Sequence, residues 1–428
     1  MKLALTEQLR EPLQALIDRS LLEQEERPQR YWYPLSTVTY GIEEILGAVD
    51  SLVTFRTTMG KKTQDFEEAF AAQFGYSQAV MVNSGSSADL LATFALVNPA
   101  VGLLQPGDEI LVPALTWPTQ IWAAMMAGLR VRFVDSDPAT LNVNPEDVEQ
   151  RIGPRTRALS IVHLMGNPCD MDEIADICER HRLVLIEDCC EALGARVTDR
   201  AVGSFGAFGT FSFFFSHHIT TMEGGMVACN DRSHSDVLRA LRAHGWARDA
   251  RYSTLVSPPG IDPRYAFVNW GFNLRPTELQ AAFGLAQLER LPSFSTQRSE
   301  NALYLSHRLA PYEDYLEAIA VPDGAERSWF ALPFMVSATS PFSRSDLTAH
   351  MEQAGIETRP IVAGNLLRHP VAHLLPGDWA SELPGAQAIH ERGFYIGLHP
   401  VADEETLERV AEVVVGFIEG CVSRSATR

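Results

Sequence analysis

The sequence predicts an α/β protein, with a mostly parallel central sheet covered on both faces by helices and a smaller C-terminal α/β domain. Three observations predict it. From about residue 63, short apolar runs alternate with segments of helical spacing, as in repeated strand–helix–strand units. Apolar strands of this kind are buried on both faces, which is the habit of parallel sheets. Residues able to do chemistry, in Asn83-Ser84-Gly85, Glu187-Asp188 and His217-His218, fall just after predicted strands. That is the edge at which open α/β sheets bind ligands.

The elements follow in order. Residues 1–45 are polar and helix-prone, carry Tyr31-Trp32-Tyr33-Pro34, and read as an N-terminal arm. Phe66, Ala69, Phe70 and Phe74 share one side of a helix over 65–74. A strand at 79–82 and a helix at 86–97 come next, then a strand at 109–113 after the turn Pro106-Gly107-Asp108. The pattern continues as helix 122–128, strand 131–134, helix 145–152, strand 158–163, helix 171–181 and strand 184–186. An aromatic strand lies within 209–215, and a helix covers 278–291. The composition shifts near 292–305, which opens Pro-Ser-Phe-Ser-Thr-Gln-Arg, and a large domain at 46–300 is expected to give way to a small one at 301–428.

Composition narrows the function. Net charge is −19, from 54 acidic and 35 basic residues, which argues against a nucleic-acid surface or attraction to anionic membranes. Glu7, Arg10 and Glu11 interrupt the N-terminus too early for a secretory signal, and no apolar run is long enough for a membrane span. The six cysteines form neither a disulfide framework nor a zinc pattern, so reduced thiols and a cytoplasmic location are expected. Only three basic residues are lysines, Lys2, Lys61 and Lys62, and none follows.

Three motifs carry chemistry. In Val82-Asn83-Ser84-Gly85-Ser86-Ser87-Ala88-Asp89 a strand leads through a glycine into a helix, whose N-terminus offers free N–H groups to a phosphate. A plain serine N-cap explains the same residues. In Ile186-Glu187-Asp188-Cys189-Cys190, an acid ending a buried strand needs a partner, and a pyridinium nitrogen would serve. An N-cap aspartate is the alternative. In Gly209-Thr210-Phe211-Ser212-Phe213-Phe214-Phe215-Ser216-His217-His218, paired histidines precede Glu223-Gly224-Gly225. No spacing here resembles a metal-ligand set, so no metal is expected. A histidine beside a cofactor could act as a general base, and a core histidine is the other reading.

Taken together, and with Ala114-Leu115-Thr116-Trp117-Pro118-Thr119 and Trp270-Gly271-Phe272-Asn273-Leu274-Arg275-Pro276 in this order, the chain resembles the DegT/DnrJ/EryC1/StrS family of pyridoxal-phosphate-dependent nucleotide-sugar enzymes. The resemblance runs from about residue 40 to the segment 393–400. It implies the type I aminotransferase fold and a homodimer with shared active sites. By position it implies that Gly85 and Ser86 hold the cofactor phosphate, joined by the Ser212 hydroxyl. Trp117 would stack on the pyridine ring, Asp188 would pair with the ring nitrogen, and Asn273 would reach the phosphate from the partner subunit.

Aligned on Glu223-Gly224-Gly225, His217 stands where the aminotransferases carry the lysine that forms the Schiff base, and His218 takes the next position. This exchange resembles the 3-dehydratase branch, which acts on nucleotide-linked 4-keto-6-deoxyhexoses with the cofactor in its amine form, pyridoxamine phosphate. A lysine would recapture the cofactor, whereas imidazole moves protons and forms no stable Schiff base. His217 is the expected catalytic base. No iron–sulfur cluster is expected, because the stretch 245–263 lacks the cysteines of the cluster-bearing subtype, and the cluster-free GDP-sugar subtype remains. The expected partners are a nucleotide sugar, contacted by Arg248 and His218, and glutamate, which restores the amine. An ordinary sugar aminotransferase and a non-catalytic cofactor- or sugar-binding relative are the competing readings.

Overall fold

The computed structural model describes residues 7–25, 29–247, 259–262, 265–374 and 382–426. Its centre is a seven-stranded sheet. We label its strands in chain order β1 (Gln78–Val82), β2 (Glu109–Pro113), β3 (Arg130–Val134), β4 (Thr156–Val162), β5 (Val184–Asp188), β6 (Phe208–Ser212) and β7 (Gly225–Cys229). The spatial order is β1-β7-β6-β5-β4-β2-β3. Strand β7 pairs antiparallel with both β1 and β6, and the remaining pairings are parallel. Six strands therefore end on the same edge, as the sequence predicts.

The apolar runs are explained by period-two burial on two faces. Val80 and Val82 of β1 and Val227 of β7 enter one core, with Leu91, Ile121 and Leu238 from the helices Gly85–Leu96, Thr119–Met126 and Arg232–Arg242. Ala79, Met81, Met226 and Phe211 point the other way, onto Phe66 and Phe70 of the helix Lys61–Phe74 and Leu288 of the helix Glu278–Leu309. Beside them, Leu159 and Ile161 of β4 meet Ile174 and Ile177 of the helix Met171–His181. No face of the sheet is left to solvent at its centre.

A second sheet, of the segments Leu316–Glu317, Ala331–Val336, Gly393–Gly397 and Arg359–Pro360, packs with the helices Arg344–Gln353 and Glu404–Ala426 around a separate apolar cluster. The N-terminal arm is tied to this part of the chain. Tyr33 is fully buried there, its hydroxyl donating to the Gly397 carbonyl at 3.0 Å, and Trp32 Nε1 donates to the Ala354 carbonyl. The arm itself contains the helix Arg10–Glu25, and the helix Ile42–Val53 runs across residue 45, where the sequence places its end.

The structure differs from the sequence reading most clearly at residues 292–305. The helix expected to end at 291 continues, unbroken over Glu278–Leu309 with Pro292 inside it. Serine, threonine and glutamine mark loops only when nothing buries their helix, whereas here Leu291 and Leu305 sit in cores on either side of residue 300. Smaller shifts concern the ends of elements. The helix expected at 122–128 is Thr119–Met126, and β5 continues through Glu187 and Asp188. Among the described residues no helix is long and apolar enough to cross a membrane.

Candidate active site

The candidate residues converge on the edge where the parallel strands end. Three residues after β1, the helix Gly85–Leu96 begins with Ser84 as N-cap, its Oγ accepting from the Ser87 amide at 3.1 Å. The cap and the phosphate reading are compatible. Because Ser84 serves Ser87, the amides of Gly85 and Ser86 are left with no intrahelical partner. A Cβ on Gly85 would lie 2.5 Å from Ser212 Cβ, and one on Gly225 only 2.3 Å from the Ser84 carbonyl oxygen. Glycine alone lets the end of β6, the start of β7 and the start of this helix meet. The product is a cradle of two amides, a positive helix end and the Ser212 hydroxyl, which fits a phosphate monoester.

Asp188 is the last residue of β5, 2% exposed, with Oδ1 accepting from the Cys190 amide at 2.9 Å. Burial pushes its pKa up. Asp89 lies near it, bonded through Oδ1 to Thr210 Oγ1 and through Oδ2 to Thr119 Oγ1, each at 2.7 Å. Burial, with the Asp188 charge, holds the Asp89 carboxyl well above the usual carboxylate range. Among the described residues no lysine, arginine or histidine is hydrogen-bonded to Asp188, although the His163 charge acts on it, and a further cation beside it would be favoured. A protonated pyridine nitrogen fits that need. Trp117, in the loop after β2, is 56% exposed and presents a free indole face.

His163, Glu187 and Cys189 form the one grouping of metal-ligand type among the described residues. Its lone pairs are already engaged. Glu187 accepts from the amides of Gly203, Phe205 and Gly206 at 2.7, 2.7 and 2.6 Å, and His163 Nδ1 accepts from the Cys169 amide at 3.0 Å. The trio thus serves to fasten the end of β5.

After β6 the chain closes on itself. The Phe213 amide donates to the Gly224 carbonyl, Thr221 N–H to the Phe213 carbonyl, and His217 N–H to the Phe214 carbonyl, at 2.9, 2.9 and 3.0 Å. This fixes His217 against Phe330, ring centroids 5.2 Å apart. Its Nδ1 is buried and has no hydrogen-bond partner among the described residues. Burial, and then the Arg298 charge, lower the His217 pKa to about 4, so the ring is neutral at pH 7 and able to take a proton.

His218 behaves differently from the sequence expectation of a substrate contact. It is 1% exposed, and its Nε2 donates to the Ser328 carbonyl at 3.1 Å. Its ring also lies against Phe330, centroids 5.9 Å apart, and the second histidine serves as an anchor. Asn273 is exposed, with Oδ1 accepting from Arg275 Nε at 2.9 Å. Arg248, the other expected substrate contact, lies outside the described residues. Lys62 is bound to Gly47 O, Ser51 Oγ and Asp50 Oδ2 at 2.7, 2.8 and 2.8 Å, and Lys61 pairs with Asp65. Both fasten the start of their helix.

Sequence reasoning missed Glu191 and Arg298. Glu191 is half-buried three residues past Asp188, accepts from the Met165 amide at 3.0 Å, and is pushed up to about 7, chiefly by desolvation. Its place directly after the Ile186–Cys190 motif was the available signal. Arg298 had none, because it reaches the site from the middle of the long helix.

The profile of the DegT/DnrJ/EryC1/StrS aminotransferase family matches residues 40–415. The chain belongs to that family. Among its members, the GDP-4-keto-6-deoxy-D-mannose 3-dehydratase of Yersinia pseudotuberculosis is 37% identical over 393 residues, which cover 89% of this chain and 98% of the relative. The dTDP-4-dehydro-2,6-dideoxy-D-glucose 3-dehydratase of Saccharopolyspora spinosa is 34% identical, over 88% of this chain and 84% of the relative. The solved Escherichia coli GDP-4-keto-6-deoxy-D-mannose-3-dehydratase with bound hydrated PLP superposes with a TM-score of 0.84 at 35% identity, covering 90% of this chain and 99% of that one. This DegT-family chain accordingly has the fold of the PLP-dependent sugar aminotransferases.

Proposed function

We propose that this enzyme is a pyridoxal-phosphate-dependent nucleotide-sugar 3-dehydratase, which removes the C3 hydroxyl of a nucleotide-linked 4-keto-6-deoxyhexose with His217 as base. The observation that carries this reading is a half-buried imidazole in the loop after β6, its Nδ1 buried and without a partner among the described residues, in a chain with no lysine after residue 62. Similarity to 3-dehydratases over most of the chain supports it.

When bound as pyridoxamine phosphate, the cofactor would supply the amine that condenses with the C4 ketone and a conjugated ring that takes up the electron pair of the C–H bond broken by the base, the pair that then expels the C3 hydroxyl. The chain's own residues then have separate tasks. Gly85 and Ser86 amides and the Ser212 hydroxyl hold the phosphate, and Asn273 of the partner subunit adds to them. Asp188 keeps the ring nitrogen protonated, and Trp117 covers the ring face. His217 takes the proton whose removal starts elimination, and it returns a proton when glutamate restores the amine. A lysine there would hold the cofactor covalently, which is why imidazole suits this reaction. The net change replaces C3–OH by C3–H, with glutamate oxidised to 2-oxoglutarate and ammonia released. We further infer a homodimer in the cytoplasm. Six free cysteines and the exposed Trp117, Phe267 and Trp270 support this.

The test is to incubate holoenzyme with glutamate and GDP-4-keto-6-deoxymannose or its dTDP counterpart, then analyse the products. Ammonia, 2-oxoglutarate and a sugar lighter by one oxygen are expected. An amino sugar instead would make the protein an aminotransferase and overturn the reading.

A further inference from the structure

Beside His217, on the side away from the Ser212 cradle in sequence, lies a small cavity lined by Thr37, Thr39, Ser216, His217, Arg298 and Phe330. It is partly open, with a cavity volume of about 20 Å³. That is room for one small polar group, since a single water needs about 10–15 Å³.

Three groups in its wall have unmet bonding capacity. Arg298 is 5% exposed, and it donates through Nε to the Leu398 carbonyl and through Nη1 to the His218 carbonyl, both at 3.3 Å. Among the described residues no carboxylate pairs with it, and Nη2 bonds to nothing. Thr37 Oγ1 and His217 Nδ1 are each buried without a hydrogen-bond partner. A buried guanidinium facing only carbonyl dipoles is costly, and the cost falls when an anion arrives. His399, nearby, is already committed, with Nε2 donating to the Pro34 carbonyl at 2.5 Å.

We propose that this cavity binds a carboxylate of the amino-acid donor, held by Arg298 and the Thr37 hydroxyl beside the base that serves the donor's reaction. The proposal rests on the reading that glutamate restores the cofactor amine. The small volume favours a carboxylate over a phosphate or a sugar ring, and the uncompensated positive charge favours a carboxylate over water. Thr37 belongs to the arm and Arg298 to the long helix, so the site exists only because residues 35–39 are strapped over the His217 loop.

Glutarate, a dicarboxylate with no amine, is the probe. Its binding to PLP-loaded wild-type enzyme, T37V and R298Q would be measured by calorimetry, with the cofactor spectrum and Tm checking each fold. Losing one hydrogen bond to a charged group predicts about tenfold weaker glutarate binding in T37V, and losing the charge predicts at least about tenfold in R298Q. T37V is nearly isosteric, so it decides the matter if R298Q does not fold. Equal glutarate affinity in wild type and T37V, or no binding to wild type, would overturn the proposal and leave a water-filled cavity. Failure of the dehydratase reading shows up separately, as absence of 2-oxoglutarate from the wild-type reaction with glutamate.

Discussion

His217 is held by a loop that closes on its own backbone, so its usefulness depends on the proton it lacks. A general base contributes about 10²–10⁴-fold, and H217N is expected to lose that much dehydration rate while still binding PLP, as read from the cofactor absorbance. The sign of its pH dependence follows from the lowered pKa. A base must be unprotonated, so activity due to His217 persists above about 4 and falls as pH drops through that value. The acidic limb of kcat/KM is therefore expected well below the 6.5 of an ordinary histidine, and a limb centred at 6.5 would contradict the buried geometry. Asp188 acts through charge. D188N removes a charged hydrogen bond worth about 1.5–3 kcal/mol, and PLP is expected to bind roughly ten- to a hundredfold more weakly, measured by equilibrium dialysis.

Whole elements are joined by buried carboxylates. Glu278, at the start of the long helix, accepts from the amides of Gly60, Lys62 and Thr63 and from the Thr63 hydroxyl, at 2.8–2.9 Å. It thereby caps the helix Lys61–Phe74, whose own N-cap is a glycine with no side-chain oxygen to offer. E278A would leave these buried donors unmet, and a loss of about 2–4 kcal/mol in urea unfolding of the holoenzyme is expected. Glu67 does the same between layers, bonded to Arg239 and Arg242 at 2.6 and 2.7 Å with all three side chains buried. The sequence shows these only as acids on helices, because their partners lie far along the chain.

For the molecule as a whole, the exposed side of the site is what a second subunit would complete. Asn273, Trp117 and Trp270 are all exposed in the single chain. If Asn273 serves its partner's cradle, N273A and H217N impair different halves of a shared site. Mixing them under subunit exchange should restore about a quarter of wild-type activity, since half the dimers are mixed and each has one intact site. No recovery, with exchange verified by mass, would place Asn273 and His217 of one chain in the same site.

The sequence by itself determined the α/β class, the strand-end positions of Gly85, Asp188 and Ser212, and the histidine in place of lysine. Those properties are local, since a strand followed by glycine or acid, and a residue type at a fixed distance from Glu223-Gly224-Gly225, can be read from neighbours in the chain. Only the tertiary structure decided that the composition shift at 292–305 lies within one helix, because burial by distant cores overrides local propensity. It also decided that His218 anchors the loop, that Glu191 is pushed up to about 7, and that Arg298 and Thr37 meet beside His217. Desolvation and unpaired charge depend on what packs around a group, and those neighbours are assembled from parts of the chain that only folding brings together.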